Sequence, residues 1–454
     1  MVNGNWLNRA GAAVALLRIV FLAAQPASAQ VLYGSIVATV EDPSGAVIPG
    51  AALTITNVAT GAVREIKADD QGRYTAVNLT AGTYTIVATA PGFRTLTQTG
   101  VEVTINSVTR ANLRLDVGQV SERVTVEASA AALQTDRSDT RAEITSRAVV
   151  ELPLPAYRNY QSMINLVPGA TPAAFQNSMG ASPQRSLTTN VNGTNRNNNN
   201  TRVDGAINVY IWLPHHTLYN PPVEAIETVN ISTSSFDAEQ GMAGGAAVTV
   251  ATKSGTNELR GVAYWYHDNQ HLYARPYFYQ QNIPKPRLPK SIVNIPGGAI
   301  GGPIIKNKLF YFFSFERTWE RTGQFGNFST PPADMRAGNF AAYASLGNIY
   351  DPFTGDANGA GRVLFPNNQI PQSRFSPTWT KIQQLAPLPN QPAQDAVGLS
   401  GNYFAAATLG LTRDQYDIKT NYNVTEKLMV WGKYSDMVAP VRGAAALGEL
   451  TGPA

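Results

Sequence analysis

From Val31 to Val117 apolar and polar residues alternate in short runs: Tyr84, Ile86 and Ala88 stand against Thr83, Thr85 and Thr89, and Val101, Val103 and Ile105 against Glu102 and Thr104. A period of two sends successive side chains to opposite faces, so these runs predict strands with one buried face. Turn chemistry separates them at Asp42-Pro43-Ser44-Gly45, Thr60-Gly61, Asp69-Asp70-Gln71-Gly72, Ala81-Gly82 and Pro91-Gly92. That spacing predicts a sandwich of about seven strands over residues 30–117. Past Gly118 the alternation loosens, in a linker read as 118–135, around Val120-Ser121-Glu122-Arg123-Val124-Thr125-Val126-Glu127-Ala128. Such a stretch is either a free extended peptide, able to add a strand to another protein's sheet, or the last strand of the sandwich or a plain linker.

Residues 136–257 have another character. Leu152-Pro153-Leu154-Pro155 precedes a helix expected around Tyr160 to Leu166, which Pro168-Gly169 ends. The tract Asn195-Arg196-Asn197-Asn198-Asn199-Asn200 is of low complexity and is expected to be a loop, since its composition cannot build a core. Beyond Gly261 the runs lengthen and turn aromatic, in Val262 to His267, in Gly297 to Ile305, and, after Lys306-Asn307-Lys308, in Leu309 to Trp319. Here Leu309, Tyr311, Phe313, Phe315 and Trp319 share one face with Arg317, and Ser314, Glu316 and Thr318 share the other. Aromatic residues outward and polar residues on an enclosed face predict a membrane barrel with a wet lumen. Gln415 to Ser435 repeats the design as a hairpin turning between Asn423 and Lys427. Thr330 to Ala407, polar and Pro-rich, is expected to be an extracellular loop, because these barrels keep their long connections outside and their short turns in the periplasm.

Composition narrows the class. Charged residues make up 15%, with 38 Gly and 29 Pro, against roughly 25% charged in ordinary soluble domains, which suits strands and turns. No apolar run is long enough for a transmembrane helix. The net charge of +4 is carried by scattered Lys and Arg, so no basic face follows a phosphate backbone and nucleic acid is not an expected partner. The absence of cysteine removes disulfides and Cys-ligated zinc. At the N-terminus Arg9, the apolar stretch Ala10 to Ala24 and Ala27-Ser28-Ala29 before Gln30 form a cleaved export signal over residues 1–29.

Two segments resemble known families. Gly45-Ala46-Val47-Ile48-Pro49-Gly50-Ala51, Asp70-Gln71-Gly72-Arg73-Tyr74, Gly82-Thr83-Tyr84 and Pro91-Gly92-Phe93 closely resemble the carboxypeptidase regulatory-like domain, an accessory sandwich without an active site of its own. Val223-Glu224-Ala225-Ile226-Glu227, Ala238-Glu239-Gln240-Gly241, Gly244-Gly245 and Thr252-Lys253-Ser254-Gly255-Thr256-Asn257, in that order, look like the plug of TonB-dependent outer-membrane receptors. Gln240 stands where an aromatic is common, and Ala251 where the family often has Val. The Oar-like branch, with the sandwich ahead of the plug, fits best. The resemblance implies a mainly β protein: a seven-stranded β-sandwich, an α+β plug over 136–257 and an incomplete transmembrane antiparallel β-barrel over 258–454. It implies a place in the bacterial outer membrane with the N-terminal domain in the periplasm, and import of an extracellular ligand driven by the TonB complex of the inner membrane. It also implies outer-membrane lipid around the barrel and a TonB box within 121–128, where Glu122, Val124, Thr125 and Val126 are the expected contacts. The ligand could be a siderophore, a cobalamin-like cofactor, a glycan or a peptide.

The 194 residues from Gly261 to Ala454 fall short of the roughly 220 that about 22 strands would need, so the chain is expected to be part of a longer protein. Catalytic residues, metal and cofactors are not expected. The four histidines are His215, His216, His267 and His271. His267 and His271 have the spacing of a zinc helix, but they follow a strand-like run, where positions four apart lie about 13 Å from each other. His215-His216 is expected to be a solvated loop pair. Phosphate-loop, dinucleotide and nucleophile-elbow motifs are lacking in a fitting context. The rival readings are a surface adhesin or polymer-binding structural protein without energy coupling, for which a plug signature has no use, and a secreted metallopeptidase resting on His267 and His271.

Overall fold

The computed structural model describes residues 33–128, 138–176, 182–236, 240, 241, 243–274, 290–426, 428–443 and 447; the export signal lies outside them, as do Ala238 and Glu239 of the plug-like motif. The chain is mainly β with few helices.

The first region forms two sheets. In one, β1 (Gly34–Glu41) lies antiparallel to β4 (Arg73–Leu79) and parallel to β7 (Val108–Arg110) and β8 (Leu113–Arg114). The other runs in the order β3 (Val63–Lys67), β2 (Ala52–Asn57), β5 (Gly82–Thr89), β6 (Thr95–Val103), β9 (Arg123–Glu127). The alternation works as the pattern requires: Ile36 and Val40 of β1 share one buried core with Leu53 and Ile55 of β2 and with Tyr84, Ile86 and Ala88 of β5. The strands beyond the expected seven are the two-residue β8 and β9, which lies in the segment read as a linker. The turns are closed by aspartates. The Asp69 Oδ1 accepts from the backbone N–H of Gln71 and Arg73 at 2.9 and 2.8 Å. Gly72 then takes φ +67°, where a Cβ would stand 2.9 Å from the Val40 carbonyl oxygen, so only glycine fits.

The middle region builds a mixed sheet in the order β10 (Thr140–Thr145), β13 (Ile226–Ser234), β14 (Ala247–Thr252), β11 (Asn200–Val203), β12 (Ala206–Ile207). Its core gathers Val229 and Ile231 of β13, Val248 and Val250 of β14, and Tyr160, Met163 and Ile164 from Tyr160–Leu166. That last segment is a 3-10 helix, whose first turn the Asn159 side chain caps by accepting from Gln161 N. The asparagine tract is a loop with a 3-10 turn at Arg196–Asn198, as its composition predicts, but its last two side chains also bond to the chain around it. The Asn199 Oδ1 accepts from Ala246 N at 2.9 Å and its Nδ2 donates to Thr189 O at 2.8 Å. Asn200 begins β11 and donates to the carbonyls of Gln240 and Gly241.

The third region is an antiparallel sheet, β15 (Arg260–Asn269), β16 (Ser291–Ile305), β17 (Leu309–Phe328), β18 (Tyr403–Asn423) and β19 (Met429–Val438), with β20 (Val441–Arg442) also on β18. Among the described residues this sheet does not close on itself. Lys306 to Lys308 and the link from Asn423 to Met429 make short turns at one rim, and residues 329–402 make a long connection at the other. The loop predicted to end at Ala407 ends at Asn402, and it contains a helix, Pro377–Leu385, capped by Ser376. Strands of 20 and 21 residues exceed the 9–11 that cross a bilayer, so β17 and β18 can run on past the hydrocarbon toward the long-loop rim.

Candidate functional site

The alternation of β17 and β18 decides where the chemistry gathers. One face of β17 turns out Phe313 and Trp319, 37% and 41% exposed, while Phe310, Phe312, Ser314, Glu316, Thr318 and Glu320 are buried on the other. On β18 Ile418 and Tyr422 are exposed, and Arg413, Gln415, Asp417 and Lys419 are buried. The enclosed face is thus polar, as predicted, but the middle region packs on it. Arg317, the exception in the aromatic face, makes a two-pronged ion pair with Asp414 of the neighbouring strand.

A seam of buried charges joins the middle region to this face. Near the short-turn rim the Asp204 carboxylate receives Lys419 Nζ at 3.0 Å and Lys433 Nζ at 3.1 Å, and Thr252 N–H at 3.0 Å. Burial pushes the Asp204 carboxyl up, but the two ammonium groups and the Thr252 bonds outweigh it and hold it below the usual carboxylate range. Further along, Asp417 accepts from Tyr219 Oη at 2.6 Å and from Ser314 and Ser435, and Lys433 Nζ lies 3.3 Å from it. Burial raises the Tyr219 hydroxyl, as does the Asp417 charge, so Tyr219 remains a donor. Arg413 reaches Glu316 at 3.5 Å and the Gln184 carbonyl at 3.3 Å.

At the upper end Arg185, 1% exposed, pairs with Glu320, also buried, through both Nε and Nη2. Tyr157 donates to the other Glu320 oxygen at 2.9 Å, and Arg158 pairs with Glu224 at 2.7 Å while lying over the Tyr266 ring. Tyr157 and Arg158 both take left-handed backbone conformations, φ +65° and +57°. Two such residues in succession cost of order 1–3 kcal/mol each; Tyr157 bonds across the seam to Glu320, and Arg158 crosses it by stacking on the Tyr266 ring of β15. A pair this buried carries a large desolvation cost, and breaking it leaves an uncompensated charge. Ser314, Glu316 and Thr318 lie on the polar face expected from the sequence, whereas Arg185 and Glu320 were not among the expected site residues. The signal for the second was there, since Glu316 and Glu320 stand four apart on one face of a strand.

The Thr252–Asn257 motif is where the two regions meet. Thr252 holds Asp204, and a Cβ on Gly255 would lie 2.2 Å from the Tyr311 carbonyl oxygen of β17. Asn257 exchanges hydrogen bonds with Asn307 in the β16–β17 turn, and its backbone N–H donates to Ala59 O of the sandwich.

The four candidate contact residues lie elsewhere, on the sandwich. Residues 123–127 are β9, paired in parallel with Thr95–Thr99 of β6. Glu122 forms an ion pair with Arg94 at 2.5 Å, and its carbonyl accepts from Thr95 N at 2.9 Å. Val124 packs half-buried against the sandwich core, Thr125 is exposed, and Val126 is 47% exposed. None of the four bonds to a residue of the seam.

The histidines need two corrections. His215 and His216 are buried, their Nδ1 atoms 2.7 Å from Asn197 Oδ1 and 2.9 Å from Gln184 Nε2, because His215 to Thr217 pack against residues 184–189 while Tyr210 to Leu213 stay exposed. Burial lowers both imidazoles below their usual value, with Arg196 adding to the effect at His215. His267 lies within β15 beside Asn294, but His271 lies past the strand in a 3-10 turn, Gln270–Leu272. Among the described residues no group of three or more His, Cys, Asp or Glu could hold a metal ion.

Comparison with known proteins bears on both ends of the chain. The family described as carboxypeptidase regulatory-like domain matches residues 35–116, and that described as outer membrane beta barrel domain matches residues 251–452. The TonB-dependent transporter Oar of Myxococcus xanthus is 24% identical over 267 residues, which take in 56% of this chain and 24% of that protein; the chain therefore spans about a quarter of the relative's length. Among solved structures, the siderophore receptor PirA of Acinetobacter baumannii overlaps 67% of this chain and 32% of its own, at 15% identity and a TM-score of 0.34. A mutant form of the ferric enterobactin receptor PfeA of Pseudomonas aeruginosa overlaps 67% and 33%, at 13% identity and a TM-score of 0.36.

Proposed function

We propose that this chain, a homologue of the Oar-like TonB-dependent transporters with a carboxypeptidase regulatory-like domain and an outer membrane beta barrel domain, supplies the sandwich, plug and first barrel strands of an energised outer-membrane importer. In this reading residues 30–117 are the periplasmic sandwich, 118–135 the coupling linker, 136–257 the plug and 258–454 barrel strands and loops. The seam carries the proposal: a separate folded region is fixed to the enclosed face of a lipid-facing sheet by buried, directional charge pairs such as Arg185 with Glu320 and Lys419 with Asp204.

Such a plug blocks the lumen, and transport requires it to shift or loosen. Charge pairs suit that task, because their partners can be exchanged for water once the seam opens, whereas an apolar interface would resist wetting. The energy comes from the inner membrane through the TonB complex, which grips Glu122, Val124, Thr125 and Val126, and an extracellular ligand on the far side starts the cycle. The protein binds and gates; it makes and breaks no covalent bond. Deleting Ser121 to Ala128 from the full-length protein tests this. Ligand binding to whole cells is expected to persist while uptake is lost, and undiminished uptake would refute the assignment.

A further inference from the structure

We propose that the cavity where the sandwich, the middle region and the barrel strands meet is a binding site for a small organic cation, an ammonium or guanidinium group on an apolar body, with Glu227 as its counter-charge. The site goes beyond the importer reading and does not depend on the coupling segment.

The cavity holds about 510 Å³, and all three regions contribute to its wall. Tyr33 and Tyr84 come from the sandwich, Glu227 and Thr252 from the middle region, and Met429 and Trp431 from the barrel sheet. Its size falls within the roughly 300–1,000 Å³ of small-molecule sites, which are mostly apolar with a few polar groups that fix orientation.

Glu227 reaches that wall through an irregularity in the sheet. Between Ile226 and Thr228 β13 carries one residue more than β14, so Glu227 has no partner there, and the pairing with β10 stops at Thr228. A β-bulge of this kind re-aims a side chain, and here the side chain lines the cavity. Among the described residues no hydrogen bond or ion pair reaches the Glu227 carboxylate. Burial pushes its carboxyl above the usual range, and Lys253 and Lys419 offset that only in part.

The neighbouring buried charges are already matched. Asp204 holds Lys419 and Lys433, and Lys433 also reaches Asp417, which leaves Glu227 as one negative charge in excess. Lys308 and Glu426 on the wall are exposed and opposite in sign, and Arg64 is half-exposed. A desolvated carboxylate without a counter-ion is costly, and an ammonium or guanidinium supplies the charge-assisted bonds it lacks. Trp431, Met429 and Tyr33 then offer aromatic and apolar surface to the rest of the molecule. An anion would be repelled, and a neutral molecule would leave the carboxylate unmatched. A metal ion would need further ligands, and no group of three or more His, Cys, Asp or Glu provides them among the described residues.

Calorimetry on the purified full-length protein tests the assignment with phenethylammonium, its neutral counterpart 2-phenylethanol and the anion 3-phenylpropionate. The ammonium is expected to bind about tenfold tighter than the alcohol, as a hydrogen-bonded charge pair warrants, and the carboxylate to give no heat of binding. Glu227→Gln, of nearly the same shape, should abolish that preference, with hydrogen exchange of β13 and β14 unchanged to show that the fold survives. Glu426→Gln should keep it. Trp431→Leu leaves Glu227 in place and should weaken both the ammonium and the alcohol about threefold. Equal affinity for ammonium and alcohol, no binding of either, a preference that persists in Glu227→Gln, or affinities untouched by Trp431→Leu would each overturn the proposal. Deleting Ser121 to Ala128, which tests the coupling segment, should leave this binding unchanged, so the two readings fail separately.

Discussion

The sandwich and the seam are both tightly buried, yet they are held by opposite means. In the sandwich Ile36, Val40, Leu53, Ile55 and Ile86 meet at 0–1% exposure without a charged residue among them, so its stability grows with apolar area and hardly depends on direction. At the seam Arg185, Glu320, Arg413, Glu316, Lys419 and Asp204 are almost as dry, and each depends on a particular partner at a particular angle. An apolar core tolerates small shifts. A charge seam holds one arrangement and loses most of its value when a partner moves. The difference separates a region built to remain folded from one that can be fixed in a single position and still be released.

The most damaging single change should be Arg185→Ala, which leaves the buried Glu320 carboxylate without its cation and with only the Tyr157 and Thr322 hydroxyls. A loss of about 3–5 kcal/mol is expected where one partner of a buried pair is removed, seen as faster hydrogen exchange over residues 182–220 with the sandwich amides unchanged. Changing both partners, Arg185→Met with Glu320→Leu, should recover most of that loss; if the double variant were as weak as the single, directional pairing would not be what holds the seam. Leu53→Ala should cost about 2–5 kcal/mol by leaving a cavity, with the opposite map: β2 and β5 exchange faster and the seam is untouched. Asn199→Ala is milder. It strips the Ala246 N–H and Thr189 carbonyl of their partner, at about 1–3 kcal/mol for buried groups left unsatisfied, and should loosen β14 without affecting either the sandwich or Glu320.

The same contrast sets what could be read from the chain. Strands that alternate in a half-buried sheet carry their own pattern, so the sandwich, β17 and the β18–β19 hairpin were legible from Tyr84, Ile86 and Ala88 or from Phe313 and Phe315 alone. The middle region resisted. Its sheet joins β11 to β14 across more than forty residues, and its polar tract is held by Asn199 and Asn200, whose bonds leave no periodic trace. Burial of His215 and His216 was hidden for the same reason, since the groups that cover them come from Asn197 and Gln184. The enclosed face of β17 was read as wetted because polar alternation fits water and a charged protein surface equally well. Arg185 gives no local sign at all, because its partner lies 135 positions away.

The smallest effect comes from mild acid, and it separates the kinds of polar burial. His215 and His216 are held below their usual range by burial, so the folded middle region keeps them neutral while an unfolded chain would take up protons near pH 6.5. Stability from that source is complete above the ordinary imidazole range and declines as pH falls through it. Asp204 runs on another scale. Its carboxyl is depressed, so its contribution is present above the ordinary carboxylate value and is lost only as pH falls through the lower value it has in the fold. The sandwich aspartates Asp42 and Asp69 are likewise depressed, Asp42 chiefly by the Ser44 hydroxyl and Asp69 chiefly by the Arg73 N–H. Between pH 7.5 and 5.5, therefore, protection factors, which allow for the slower chemical exchange of amides in acid, should fall around residues 182–220 while those of β2, β5 and the Asp204 contacts hold. His215→Gln together with His216→Gln, neither of which can gain a charge, should flatten that pH response, and a sandwich that loosened in step with the middle region would break the comparison.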